Sequence, residues 1–158
     1  MFRELVRKNK ALSKEECLSI LEEQKRGVLS VIGDEGYPYG MPLNHFYDKE
    51  DGKLYFHSAQ FGHKVDSIKK DARVSYCVMN KGELDKDGWS LHVQSVIVFG
   101  KAFIVEDKEK IIDICKKLSY KFGQDDAWIK KEIEIDLHRT LVFGVDIEYM
   151  TGKNVHER

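Results

Sequence analysis

Nowhere does this sequence hold an apolar run approaching the roughly twenty residues a membrane-spanning helix needs. Its start, MFRELVRKNKALSKEE, lacks the apolar core of a signal peptide. Neither secretion nor membrane insertion is expected. Cysteine is scarce: Cys17, Cys77 and Cys115 lie far apart, form no CxxC pair, and as an odd number cannot all be bridged within one chain. A reduced, cytoplasmic setting is the expectation. An excess of one charge is missing too. With 26 basic and 27 acidic residues and a formal net charge of −1, no global field points to nucleic acid or an anionic membrane as a partner, so any anion site has to be local. There is no GxGxxG fingerprint for a resident dinucleotide, no HExxH, no Cys/His pairing for zinc, no repeat and no low-complexity linker. The six histidines show no diagnostic spacing along the chain, and no metal ligand set is assigned.

What is present suits one domain spanning 1–158, since 158 residues at 42% apolar content build one core but not two. Ser13-Lys14-Glu15-Glu16 reads as a capping box that opens an N-terminal helix, drawn over 11–26 and stopped by Gly27. Gly27–Ile32 reads as a strand, and Gly33–Gly36 as a hairpin turn into a second strand from Tyr37 to Tyr47. Pro38 and Pro42, the only two prolines, demote that second strand to an edge, because each removes a ladder donor. Arg73–Met79 and Leu91–Val105 follow as strands on either side of a polar loop over Asn80–Gly88, and Gly100 marks a bend or bulge. In the longer of the two, His92, Gln94, Val96 and Val98 share one face, and Val93, Ser95, Ile97 and Phe99 the other. Asp107 caps a helical region drawn over 107–134, Thr140–Tyr149 alternates as a final strand, and 150–158 reads as a frayed polar tail. About six strands with helices at the start and before the last strand make a mainly β (α+β) protein, a small antiparallel barrel with flanking helices.

The chemistry-bearing stretch is Leu54–Val74, LYFHSAQFGHKVDSIKKDARV. A strand ends at His57 and Ser58, Gly62 breaks the chain, and a short helix starts near His63 and Lys64. A helix N-terminus offers unpaired N–H groups and a partial positive charge, which beside a lysine and a hydroxyl can hold a dianionic phosphate. On residue types alone, an ordinary helix start with Lys64 in water fits equally well.

This segment resembles its counterpart in the FMN-binding split-barrel family, the pyridoxamine 5'-phosphate oxidase-like proteins. The likeness continues in GDEGYPYGMPL, SVIVFGKAFIV and DIEYMTGK, and is greatest toward the Nim-type 5-nitroimidazole reductase branch. The resemblance implies a six-stranded antiparallel split β-barrel and a homodimer with FMN at the subunit interface. It implies that Met41, Pro42, Leu43 and Asn44 present backbone to the flavin ring and that His57, Ser58, His63 and Lys64 hold its phosphate end. It further implies that His92, Gln94, Ser95 and Val96 touch the ring from the partner subunit, and that Thr151, Gly152 and Lys153 return to the site. His57 is then the one catalytic candidate, as a proton donor, with phosphate binding as its other reading. The chain departs from true pyridoxamine-phosphate oxidases in ending NVHER, with neither their arginine-rich motif nor their Arg-Leu-x-Pro type tail, so vitamin B6 oxidation is not expected.

The expected function is therefore an FMN-dependent oxidoreductase that passes electrons from a reduced nicotinamide or another donor to a small planar acceptor such as a nitroaromatic. A non-enzymatic flavin carrier or redox sensor and a haem-binding split barrel stand as alternatives.

Overall fold

The structure is a computed structural model, and it describes residues 1–157. Helix α1 (Lys14–Glu23) begins where the capping box places it: Ser13 Oγ accepts from Glu16 N at 3.2 Å, and Glu16 Oε2 accepts from Ser13 N at 2.7 Å. Strands β1 (Arg26–Ile32), β2 (Pro38–Asn44), β3 (Phe46–Asp48) and β4 (Lys53–Ala59) follow, then helix α2 (His63–Lys70). Next come β5 (Arg73–Met79), the two-residue β6 (Glu83–Leu84) and β7 (Leu91–Ile104). Helices α3 (Lys108–Lys121) and α4 (Asp126–Asp136) lead into β8 (Thr140–Glu157). Asp107 caps α3 by accepting from Lys110 N at 2.7 Å, and Asp125 caps α4 through Trp128 N at 2.8 Å.

All pairings are antiparallel, and the sheet runs β2-β1-β5-β7-β8-β4-β3 with β6 added beside the start of β7. Three sequence expectations change. The sheet has eight strands and not six, because the segment Tyr37–Tyr47 breaks at His45 into β2 and β3, and the loop over Asn80–Gly88 contains β6. The tail over 150–158 is no tail as far as it is described: β8 continues to Glu157, paired with β7 down to Leu91↔Glu157. Its residues are polar because this ribbon reaches past the core, while the ladder of β7 supplies the order that side-chain burial does not. The helices also shift, the first ending before the strand that begins at Arg26 and the last reaching Asp136. The bulge expected at Gly100 is there, as a register shift between Phe99 and Gly100.

β2 and β3 end the sheet on opposite edges, yet only His45 separates them in the chain. The sheet therefore has to curl until its two edges meet at that residue, which makes it a split barrel. His45 is fully buried. Its Nε2 lies 2.7 Å from Leu21 O and its Nδ1 2.8 Å from the Tyr76 hydroxyl, which also lies 2.9 Å from Leu43 O. A neutral ring with its proton on Nε2 donates to Leu21 O, and the single Tyr76 hydroxyl proton is shared between His45 Nδ1 and Leu43 O. Burial, and next the Lys121 charge 3.4 Å away, hold the imidazole down at about 3, against the pull of the Leu21 carbonyl.

Inside the barrel Leu29, Phe56, Tyr76, Val98 and Phe143 form the main core under Cys17 and Leu21 of α1. Phe56 stacks on Phe143 at 4.9 Å between centroids and meets Tyr76 edge-on at 5.0 Å. A second cluster, built on Tyr55, Val105, Ile114, Leu118 and Val142, packs α3 against the outside of β4 and β8. Buried Asp48 fastens the same helix, with Lys110 and Lys117 each 3.2 Å from Oδ2. Burial works against its ionisation, but the Glu50 N–H and these two ammonium groups outweigh that and keep the carboxyl below its ordinary range.

Because His45 titrates lower folded than unfolded, the unfolded chain binds the extra proton between about 3 and 6.5. Stability is complete above that window and is lost as pH falls through it, by up to ~1.4 kcal/mol per pH unit. Denaturant unfolding between pH 6.5 and about 5, above most carboxylate titration, is expected to show this slope. His45→Gln should flatten it. An unchanged slope in the variant would assign the acid sensitivity to another group.

Candidate functional site

Strand β4 delivers the first site residues by alternation. Leu54, Phe56 and Ser58 face the barrel interior side, while Tyr55 and His57 face the helices outside. His57 opens onto a cavity of about 230 Å³ between that face and α3 and α4, where Asn44, Leu118, Phe122, Trp128 and Thr140 are among the walls. The enclosing walls and then the Lys64 charge hold its imidazole below the ordinary histidine value, although the ring keeps contact with solvent. At neutral pH it offers an N–H hydrogen bond and not a labile imidazolium proton, which weakens the case for it as a proton donor.

At the turn, Gly62 adopts φ +117°, a left-handed conformation that L side chains avoid, and nothing lies within 4 Å of where a Cβ would stand. It precedes α2, which has no side-chain cap; Val65 N and Asp66 N donate back to Gly62 O at 2.9 and 3.1 Å, which leaves the N–H groups of His63 and Lys64 as the ones open to a ligand. Lys64 is half-buried, and burial pushes its ammonium below the ordinary lysine value. Among the described residues it forms no ion pair; its Nζ sits 5.8 Å from the centre of the Phe143 ring. His63 is already engaged, stacked on Tyr39 at 4.2 Å and 3.4 Å from Asp34 N, where it steadies the β1–β2 turn. Ser58 Oγ donates to Ala59 O at 2.9 Å.

Met41, Pro42, Leu43 and Asn44 lie on β2, which pairs only with β1. The other edge of β2 is open, as its prolines foretold. Met41 and Leu43 anchor in the core while Pro42 is exposed and Asn44 reaches the His57 cavity. This group and the β4–α2 corner thus share one region of the molecule.

The remaining expected residues do not join them within one chain. β8 carries Thr140 beside Ala59 of the corner, and Thr151 comes eleven positions later, a strand path of ~36 Å at ~3.3 Å per residue. Ser95, Ile97 and Phe99 share the outward face with their partners Lys153, Thr151 and Tyr149. Val96 is in the core, and Gly152 opposite it is covered by α1. A Cβ at Gly152 would collide with Cys17 Sγ and stand 2.9 Å from Leu12 Cβ. Gln94 is tied to Asn80, with Gln94 N donating to Asn80 Oδ1 at 2.9 Å. His92 is held by Asp85, 2.8 Å from its Nε2. Sequence reasoning missed His45, whose only signal was a titratable residue inside a strand-like segment.

An antiparallel sheet curled so that its two edge strands meet, with helices outside, defines this protein as a split barrel. A model of the pyridoxamine 5'-phosphate oxidase family matches residues 13–154, and the chain belongs to that family. No curated protein matches it. Among solved structures, it is similar to a candidate 5-nitroimidazole antibiotic resistance protein from Bacteroides thetaiotaomicron. That match has a TM-score of 0.76 and 22% identity, over 92% of this chain and 87% of that one. It is also similar to a FAD-binding protein from Mesorhizobium loti, with a TM-score of 0.64 and 24% identity over 92% and 97% of the two chains. A FAD and heme binding protein from Mycobacterium smegmatis matches with a TM-score of 0.72 and 17% identity over 91% and 72%. At these identities the likeness is one of fold.

Gly152→Ala should cost ~1–3 kcal/mol through overpacking against α1. Thermal or denaturant melting checks it, and a variant as stable as the parent would mean that α1 does not close over β8 here.

Proposed function

We propose that this protein is a flavoprotein that holds FMN in a site shared between two copies of the chain and passes electrons to a small planar acceptor such as a nitroaromatic. The observation that carries this reading is Lys64, a half-buried ammonium with no counter-charge among the described residues, placed at an uncapped helix start behind an open glycine turn. A dehydrated cation of this kind is stabilised by an anion, and a terminal phosphate takes both the ammonium and the free N–H groups. Of the four residues expected around the phosphate, Lys64 supports the reading by its charge and His57 by its nearness to Lys64, while the Ser58 hydroxyl, now on Ala59 O, would have to turn to join them. His63 serves the neighbouring turn. The open edge of β2 offers main-chain groups from Gly40 to Asn44 to the rim of a heterocycle, and neutral His57 offers an N–H beside it. When bound, the flavin supplies the redox chemistry. Relatives of the fold described as binding FAD support a flavin, and the phosphate corner alone favours the mononucleotide.

A second copy is needed because the β7–β8 group faces outward, away from its own corner. Val28, Ile97 and Phe99 are 44, 39 and 38% exposed, and lie with Cys77 on the outer face of β1, β5 and β7. Phe2 extends this apolar patch by stacking on Tyr149 at 4.9 Å. Apolar surface gathered in this way marks an association site, and Ser95, Thr151 and Lys153 along its rim are the residues expected to reach a partner's flavin. All three cysteines are free, which fits a cytoplasmic setting.

The visible spectrum of the purified protein is the first test, followed by anaerobic addition of reduced nicotinamide and then a nitro compound. Flavin bands that bleach and return support the reductase. Bands that never bleach leave a carrier, and a Soret band replaces flavin with haem. Lys64→Ala should weaken FMN binding by ~1.5–3 kcal/mol, the value of a hydrogen bond to a charged group, and unchanged affinity would remove the phosphate assignment. Ile97→Glu should yield monomers in sedimentation and release FMN with them. Monomeric parent protein that still retains FMN would end the shared-site reading.

A further inference from the structure

At the far end of the β7–β8 ribbon, three side chains remote in sequence converge. His92 and His156 are cross-strand partners, their rings stacked at 3.9 Å between centroids and 18° between planes. Asp85, in the turn after β6, places Oδ1 2.8 Å from His92 Nε2 and Oδ2 2.9 Å from His156 Nε2. One donor atom from each residue falls within 4.8 Å of the other two. All three side chains keep partial exposure, 43, 27 and 39% for His92, His156 and Asp85, so an ion can enter. The two imidazoles adjoin a cavity of about 310 Å³ whose other walls include Asn9, Glu16 and Asn154.

We propose that Asp85, His92 and His156 form a binding site for a divalent transition metal of the zinc class. The donor set is two imidazole nitrogens and one carboxylate oxygen, which leaves the fourth position of a tetrahedral ion to water. Zinc takes nitrogen at ~2.0–2.1 Å and carboxylate oxygen at ~2.0–2.2 Å. Tetrahedral placement then needs donors ~3.3 Å apart, so the carboxylate, whose two oxygens now contact one imidazole each, has to withdraw and turn to present one oxygen, and the stacked rings have to splay so that both Nε2 lone pairs converge on the ion. Each histidine then carries its remaining proton on Nδ1, and the carboxylate offsets one of the two added charges. Mixed nitrogen and oxygen donors favour zinc, cobalt or nickel over magnesium or calcium, which seek oxygen alone. An ion here ties the β6–β7 turn to the ends of β7 and β8, the part of the sheet that extends past the core. Within one chain this cluster lies at the opposite end of β8 from the β4–α2 corner, and zinc binding is read without flavin.

The test uses the full chain without an affinity tag and ZnCl2 alone, in competition with a chromogenic chelator. The expected result is one equivalent of zinc per chain, with affinity at least about tenfold lower in His92→Gln, His156→Gln and Asp85→Asn. His138→Gln, at an exposed position outside the cluster, should bind as the parent does. Circular dichroism separates lost binding from lost folding in the variants. Cobalt substitution of the unaltered protein gives a further readout, the visible bands of a four-coordinate ion. Absence of stoichiometric binding, retained binding in the His92→Gln/His156→Gln double variant, or loss in His138→Gln would each overturn the assignment.

Discussion

One residue closes this fold. The chain steps from one edge of the sheet to the other across His45, and a step that short is possible only if the two edges lie side by side. The closing residue is polar and fully buried, so its ring must be satisfied on both sides. It is: α1 supplies Leu21 O, and β5 supplies the Tyr76 hydroxyl from across the barrel. Three elements that are distant in sequence are thereby fixed relative to the closure. An apolar side chain at this position would fill the space but would leave Leu21 O without its imidazole donor and Tyr76 without its imidazole partner, and it would not set the register of α1 over the barrel mouth. Lys121 joins from α3 with its Nζ 3.2 Å from Leu21 O, and burial, against the opposing charge of Glu22, brings it down to about 8.

Closure at His45 also determines what kind of site is available. Because β2 and β3 are both edge strands, a seam of unpaired backbone runs beside the barrel, and β2 brings that seam close to β4. An unpaired edge is a liability in most sheets, open to pairing with another chain. Here two prolines make it a poor template for a further strand while leaving carbonyls free. The seam ends near the turn where β4 gives way to α2, beside the half-buried Lys64, which forms no ion pair among the described residues. Open backbone groups and a half-buried cation thus come from the same topological fact.

Local rules carried much of this into the sequence. Ser13 with Glu16, and Asp107 ahead of a run of helical spacing, announce their helices through hydrogen bonds made within four residues. Gly100 announces its bulge because a Cβ there would meet the backbone of Asp146. The corner was legible for the same reason, as a strand, a glycine and a lysine in succession. The strand break at His45 was not, since the prolines and the glycine of YPYGMPLNHFY all lie before it and only the closure of the barrel forces the kink. Nor was the order of Met150–Glu157, a segment as polar as a frayed terminus, whose strand conformation rests on ladder bonds to β7. Asp85, His92 and His156 are brought together by that same ladder, and spacing along the chain cannot reveal a pairing register.

The length of β8 links these observations. A strand of eighteen residues far exceeds what one barrel wall requires. Its first half pairs with β4 on one side and β7 on the other, and builds the core through Val142, Phe143 and Val145. Its second half pairs with β7 and, at one point, with the segment before α1 through the Ala11↔Lys153 bridge, contributes Gly152 as a seat for α1, and then extends outward with Thr151 beside Ser95 and Ile97 of β7 on the free face. A ribbon of two strands is weak in isolation, so an extension of this length needs support beyond its own ladder. Helix α1 covers one face near its base. On the other face Phe2 stacks on Phe99 and Tyr149, and the apolar surface of Ile97 and Phe99 that it leaves exposed is where further burial would stabilise the ribbon.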